Sequence, residues 1–103
     1  TMAPDTTDDW QTPSTDALFD ALMGLESRDE VQRFFRDLCT RHELEELSAR
    51  WDVVQLLDEG LSYRRIAKAT GVSTTTITRI NEWLHHGTGG YQTALERSKG
   101  AQP

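Results

Sequence analysis

Ser62-Tyr63-Arg64-Arg65-Ile66-Ala67-Lys68-Ala69-Thr70-Gly71-Val72-Ser73-Thr74-Thr75-Thr76-Ile77-Thr78-Arg79-Ile80 reads as two short helices joined by a tight corner. Ser62 offers a hydroxyl to an orphan backbone N–H at the start of the first helix. Ile66 and Ala69 fall three apart on one side, and the small Ala67 between them lets a second helix approach closely. Gly71 comes four residues after Ala67 and supplies the left-handed backbone that a corner between crossed helices often needs. Val72 plugs the corner and Ser73 caps the second helix. Ile77, Ile80 and Leu84 then recur at spacings of three and four, one buried stripe. The pattern is that of a helix-turn-helix, whose second helix can enter a DNA major groove while the first braces on the backbone.

The remaining positions decide what faces water. At about 100° per residue, Thr75, Thr78, Arg79 and Glu82 project opposite the apolar stripe, with Thr74 and Thr76 flanking them. Threonine is a poor helix former, so a threonine-rich first turn is not there for propensity. Its hydroxyl donates or accepts, and its methyl can touch a thymine methyl. Arg64, Arg65 and Lys68 on the first helix suit phosphate contacts. The candidate DNA-binding set is therefore Arg64, Arg65, Lys68, Ser73, Thr74, Thr75, Thr76 and Thr78. The competing reading is a helical hairpin that only packs.

The net charge of the 103-residue chain is -6, which argues against simple DNA binding. The distribution answers that objection. Residues 1–60 carry 15 acidic and five basic residues, whereas residues 61–103 carry two acidic and six basic ones. Local potential governs contact with phosphates, so the basic half is the relevant one. The length fits one domain with a modest core that a second copy would enlarge. No run of about 18 apolar residues marks a membrane span, and the acidic, polar first residues do not read as a secretory signal. Cys39 is the only cysteine, so no internal disulfide forms, which suits a reducing cytoplasm.

Residues 1–14 read as a disordered acidic leader, in which Trp10 is unusual and either docks on a surface or stays free. A first helix is expected over about 15–25, with Ala17, Leu18, Ala21, Leu22 and Leu25 as its stripe. Ser27 and Glu30 match a capping box that opens a helix over 28–38, with Val31, Phe34, Phe35 and Leu38 inward. Thr40 and Glu43 match another, opening a helix over 41–58 striped by Leu44, Leu47, Trp51, Val54 and Leu57 and widened by Val53 and Leu56. Gly60 ends it. After the motif, Gly87-Thr88-Gly89-Gly90 breaks the chain, a short helix follows from Tyr91 to Arg97, and 98–103 form a flexible tail. With no strand alternation anywhere, the expected fold is all-α with six helices, its domain covering 15–97. Short helices that are apolar on one side suit an intertwined homodimer sharing one core.

The order of these parts resembles the Trp repressor family, in particular its YerC/YecD-type Trp-repressor-like members. The likeness rests on Leu38-Cys39-Thr40, Leu47-Ser48-Ala49-Arg50, Leu56-Leu57-Asp58-Glu59-Gly60-Leu61-Ser62, Arg64 and Thr76-Ile77-Thr78-Arg79, and covers about residues 16–97. It implies a symmetric, intertwined homodimer whose two motifs read successive major grooves about 34 Å apart. It implies a cytoplasmic transcription regulator, with Arg64 approaching a base and Thr74, Thr75, Thr76 and Thr78 facing the operator. Water-mediated readout is known for the Trp repressor itself. The family's corepressor positions correspond here to Thr40, Arg50, Arg79, Ile80 and Trp83. The threonine and both arginines match. The last two are a glycine and a serine in the true repressor, so Ile80 and Trp83 should take up volume that an indole needs, and free tryptophan is not an expected ligand. The two arginines then either make internal ion pairs, for instance with Glu46 or Glu82, or hold the carboxylate of another small molecule. The ion pairs are the favoured reading.

Other chemistry finds little support. Adjacent His85 and His86 point to different faces of a helix and make a poor metal pair. Cys39 has no base beside it, and Gly87-Thr88-Gly89-Gly90 lacks the preceding strand and following lysine of a phosphate loop. No nucleophile–base set is visible, so the chain is not expected to be an enzyme or to carry a cofactor or metal. The expected function is sequence-specific binding of double-stranded DNA. The rivals are a protein-interaction module that uses the hairpin as a docking surface, and a small-molecule sensor with an altered pocket.

Overall fold

A computed structural model describes residues 10–100, in which six helices and no strands are present. They are α1 (Pro13–Met23), α2 (Arg28–Leu38), α3 (Arg41–Asp58), α4 (Tyr63–Thr70), α5 (Thr74–His86) and α6 (Gly90–Gly100). The all-α expectation holds, and α2 and α3 begin and end where capping and periodicity place them. Most of the leader lies in residues 1–9, outside the described residues. None of the described helices is long and apolar enough to cross a membrane.

Helices α1 and α6 differ from the expectation. Helix α1 starts at Pro13, because Thr12 and Thr15 cap it reciprocally and a proline at the first helical position needs no N–H partner. It stops at Met23, so Leu25 lies beyond it. Helix α6 runs on to Gly100, so residues 98–100 are helical rather than tail. Lys99 on its last turn forms an ion pair with Asp58 at the end of α3.

The described chain divides into two compact units, one running to Glu46 and the other beginning at Leu47. In the first, α1 and α2 contain no fully buried residue. Leu18, Leu22, Leu25, Phe34 and Phe35 are half-buried, while Ala17, Ala21, Val31 and Leu38 of the expected stripes are exposed. Phe19 and Met23 are exposed as well. Trp10 settles on α1: its ring meets the edge of Phe19 at 6.2 Å, and its carbonyl accepts a hydrogen bond from the Thr15 hydroxyl at 3.2 Å. At the second capping box the Glu30 carboxylate accepts from Glu26 rather than Ser27, at 2.9 Å.

The second unit holds the core. Val53 and Val54 of α3, Ile66 of α4, and Ile77 of α5 are completely buried, and Ile80, Leu84 and Leu95 nearly so. Trp51, Leu56, Leu57, Leu61, Val72 and Tyr91 pack around them. Val53, expected as a flank, is as buried as Val54, while Leu47 at the start of the stripe is exposed. Ala69, expected beside Ile66 on the packed side, is exposed, and Ala67 takes the packed position. Truncating a fully enclosed isoleucine in such a core costs about 2–5 kcal/mol.

Two glycines make the corners. Gly60 (φ +86°) closes α3, its N–H donating to the Leu57 carbonyl while the Leu61 N–H donates to that of Leu56. This paired arrangement satisfies two orphan carbonyls. Gly71 (φ +76°) closes α4 with a single bond to the Ala67 carbonyl at 2.9 Å. Both backbones lie where L side chains are strained.

The start of α3 is sensitive to pH. The Thr40 N–H donates to Glu43 Oε1 at 2.8 Å, and the Glu43 N–H donates to the Thr40 hydroxyl at 3.0 Å. The bond from the Thr40 backbone, then that from its side chain, holds the Glu43 carboxyl below its ordinary range, with a smaller contribution from His42. The folded value thus lies below the unfolded value of about 4.3. The cap is at full strength above that pH and is lost as pH falls through the lower folded value. A Glu43→Gln variant should therefore lose less helicity than the parent between about pH 5 and pH 3. Circular dichroism across that window checks this, and parallel acid titrations would contradict it.

Candidate functional site

The amino end of α5 is built by the sequence just before it. Ser73 accepts the Thr76 N–H at 3.2 Å, and its own hydroxyl donates to Thr76 Oγ1 at 3.0 Å. Thr78 turns its hydroxyl back onto the Thr74 carbonyl at 2.9 Å. Three of the five hydroxyls assigned to the reading face are thus engaged within the helix. Thr74 and Thr75 are exposed, and their hydroxyls make no hydrogen bond among the described residues.

Helix α4 contributes charge beside this face. Arg64, Arg65 and Lys68 are exposed, and none forms an ion pair among the described residues. From Gly60 to Asn81 the chain has no acidic residue. In the first unit two of the four arginines are taken up locally, as Arg33 pairs with Asp29 at 2.8 Å and Arg41 with Glu45 at 3.7 Å. Such exposed helical pairs are worth about 0.3–0.5 kcal/mol. Helices α4 and α5, which touch, thus carry exposed hydroxyls, cations without an ion pair among the described residues, and the N–H groups of a helix start.

Helix α5 has a second polar side. Arg50 of α3, Thr76, Arg79, Ile80 and Trp83 of α5, and Tyr91 of α6 line a hollow of ≈ 260 Å³. The structure thus brings together four of the five residues named as an altered corepressor pocket. The fifth, Thr40, belongs to the first unit and caps α3. Ile80 is 5% exposed and part of the core, whereas Trp83 is 43% exposed, so its indole borders the hollow without being sealed in it. The expected ion pairs are not formed. Glu46 pairs with His42 at 2.9 Å, and among the described residues neither Arg50 nor Arg79 has a carboxylate partner.

Two lining residues escaped the sequence. Thr76 stands three before Arg79 and seven before Trp83, a spacing that puts it on the hollow side. Its place in a threonine run masked that signal. Tyr91 comes from another helix, so no local pattern announces it. No group of three or more histidine, cysteine, aspartate or glutamate residues suited to a metal occurs among the described residues.

This architecture has relatives. The family model described as Trp repressor protein matches residues 13–99. The uncharacterized protein YerC of Bacillus subtilis (strain 168) is 42% identical over 84 residues, which span 82% of this chain and 81% of YerC. The crystal structure of a TrpR-like protein from Eubacterium eligens ATCC 27750 superimposes with a TM-score of 0.81 at 39% identity. That match covers 90% of this chain and 96% of the other.

The two roles of the α5 amino end are separable. Ser73→Ala should lower stability by about 1 kcal/mol through loss of the cap. Thr75→Ala, on the exposed face, should stay within about 0.5 kcal/mol of the parent. Urea unfolding measures both, and equal losses would show that Thr75 also holds the helix.

Proposed function

Because the chain belongs to the Trp repressor family, we propose that it is a homodimeric, sequence-specific DNA-binding transcription regulator that works without a tryptophan corepressor. One observation carries the DNA reading. The exposed, uncommitted Thr74 and Thr75 open α5, the preceding helix α4 carries three cations without an ion pair among the described residues, and the stretch that holds both is free of acidic residues. Arg64, Thr74 and Thr75 read base edges or bridging waters. Arg65 and Lys68 hold phosphates. Ser73 and Thr76 keep the helix start rigid, and Thr78 contributes its methyl group.

The homodimer is supported by the apolar surface of the single chain. Phe19, Met23 and Leu38 are 44%, 85% and 52% exposed, and neither α1 nor α2 buries a residue. Covering that surface with a second copy removes it from water at about 25 cal/mol per Å². The two α5 helices of such a pair address successive turns of one duplex.

The reading without tryptophan is supported by the lining of the hollow beside α5. Two arginines and no acidic side chain line it, so nothing there receives the ammonium group of tryptophan, and Ile80 and Trp83 stand where the true repressor has a glycine and a serine. Calorimetry with L-tryptophan should give no saturable heat at micromolar concentrations, and binding there would refute this part.

The DNA roles separate by substitution once a preferred fragment has been selected from random DNA. Lys68→Ala should weaken all sequences alike and lower the salt slope by about one unit. Thr75→Val should instead relax sequence preference, at about 1–3 kcal/mol if a base contact is lost. Footprints of the parent should cover two half-sites about one helical turn apart. A uniform, sequence-independent loss for both variants, or no salt-dependent binding at all, would overturn the assignment.

A further inference from the structure

The corner between α4 and α5 turns on Gly71, and packing does not hold that residue in place. Its φ is +76°, and a Cβ placed on it would meet no atom within 4 Å. Glycine is the most permissive residue, so the pivot does not fix its own angle. The Gly71 N–H donates to the Ala67 carbonyl at 2.9 Å, which ties down the chain only up to the pivot.

The Thr70 hydroxyl reaches across it. This group accepts the Val72 N–H at 3.2 Å and donates its own proton to the Ile66 carbonyl at 2.8 Å. Residues 70 and 72 flank the pivot, so the length of the first bond depends on both backbone angles of Gly71. The ends of the bridge are anchored, because Ile66 is completely buried and Val72 packs against the core. Thr70 itself is half-buried, and its hydroxyl is committed as donor and as acceptor. Burial of Ile66 and Ile77 decides which side of each helix faces inward. Apolar contact is non-directional, however, and does not by itself fix the angle at which two helices cross.

We propose that Thr70 is a positioning residue for DNA recognition: its hydroxyl pins the Gly71 corner and keeps the cations of α4 in register with Thr74 and Thr75 of α5. The proposal rests on the DNA reading above, in which Thr70 itself makes no contact.

Two variants of the full chain test it. Thr70→Val keeps the branched shape without the hydroxyl, and Thr70→Ser keeps the hydroxyl. Affinities are measured for the fragment selected from random DNA and for random duplex. Thr70→Val should bind the selected fragment about tenfold more weakly, as when one base contact is lost. Its affinity for random duplex should stay within about twofold, because the cations still meet phosphates. Thr70→Ser should restore the parent's ratio of the two affinities. A hydroxyl that only stabilised the fold would lower the melting temperature and leave that ratio unchanged. Amide exchange without DNA reads the pin directly. The Val72 N–H should exchange about tenfold faster in Thr70→Val than in the parent or Thr70→Ser, with Ile77 protected in all three. The proposal is overturned if Thr70→Val keeps the parent's ratio, if Thr70→Ser loses it, or if Val72 exchanges equally in all three proteins. Absence of salt-dependent binding by the parent to any duplex would overturn the DNA reading and the positioning role with it. Parent binding with an unchanged ratio in Thr70→Val would remove the positioning role alone.

Discussion

The enclosure of Ile66 and Ile77 with Val53 and Val54 is the constraint on which the rest of the second unit depends. These four side chains are wholly removed from water, and they come from three helices. Helices α4 and α5, of 8 and 13 residues, are short enough that their own backbone bonds give them little independent stability. Joint burial of one apolar side therefore sets the rotation of α4 and α5 about their axes. Once Ile77 and Ile80 point inward, Thr75 must point out, with Thr74 on the flank. The functional face follows from the core by exclusion.

The Gly71 corner transmits that constraint. With φ at +76°, the backbone reverses within three residues between Thr70 and Thr74. Ser73 then starts α5 at a defined residue by taking the Thr76 N–H. Had the helix begun one residue later, Thr74 would fall outside it, while the threonines that follow would keep their phase against Ile77 and Ile80.

Charge is organised by the same economy of partners. Acidic residues dominate the first 60 positions, and two of the five arginines among them, Arg33 and Arg41, are engaged in pairs one helical turn apart. The cations of α4 have no acidic neighbour in sequence and remain available. A chain with a net charge of -6 can therefore present a locally basic face. Arg50 and Arg79 likewise have no carboxylate partner among the described residues.

Much of this was legible in the residue order, because caps, corner glycines and apolar spacing are local. Ser27, Thr40, Ser62 and Ser73 each mark a helix start, and Gly60 and Gly71 each mark a stop. Thr12 with Pro13 carried an equally local signal for α1, hidden by the polar leader around it. What no local pattern contains is the meeting of separate helices. The pairing of Tyr91 with Trp51, the closure of Trp83 over Gly87, and the gathering of Arg50, Thr76 and Arg79 around one hollow join residues from distant turns. The exposure of Leu38 and Leu47 likewise reflects how many apolar faces one chain can cover. Periodicity tells which side of a helix is apolar, but only the packed chain decides whether another element is there to bury it.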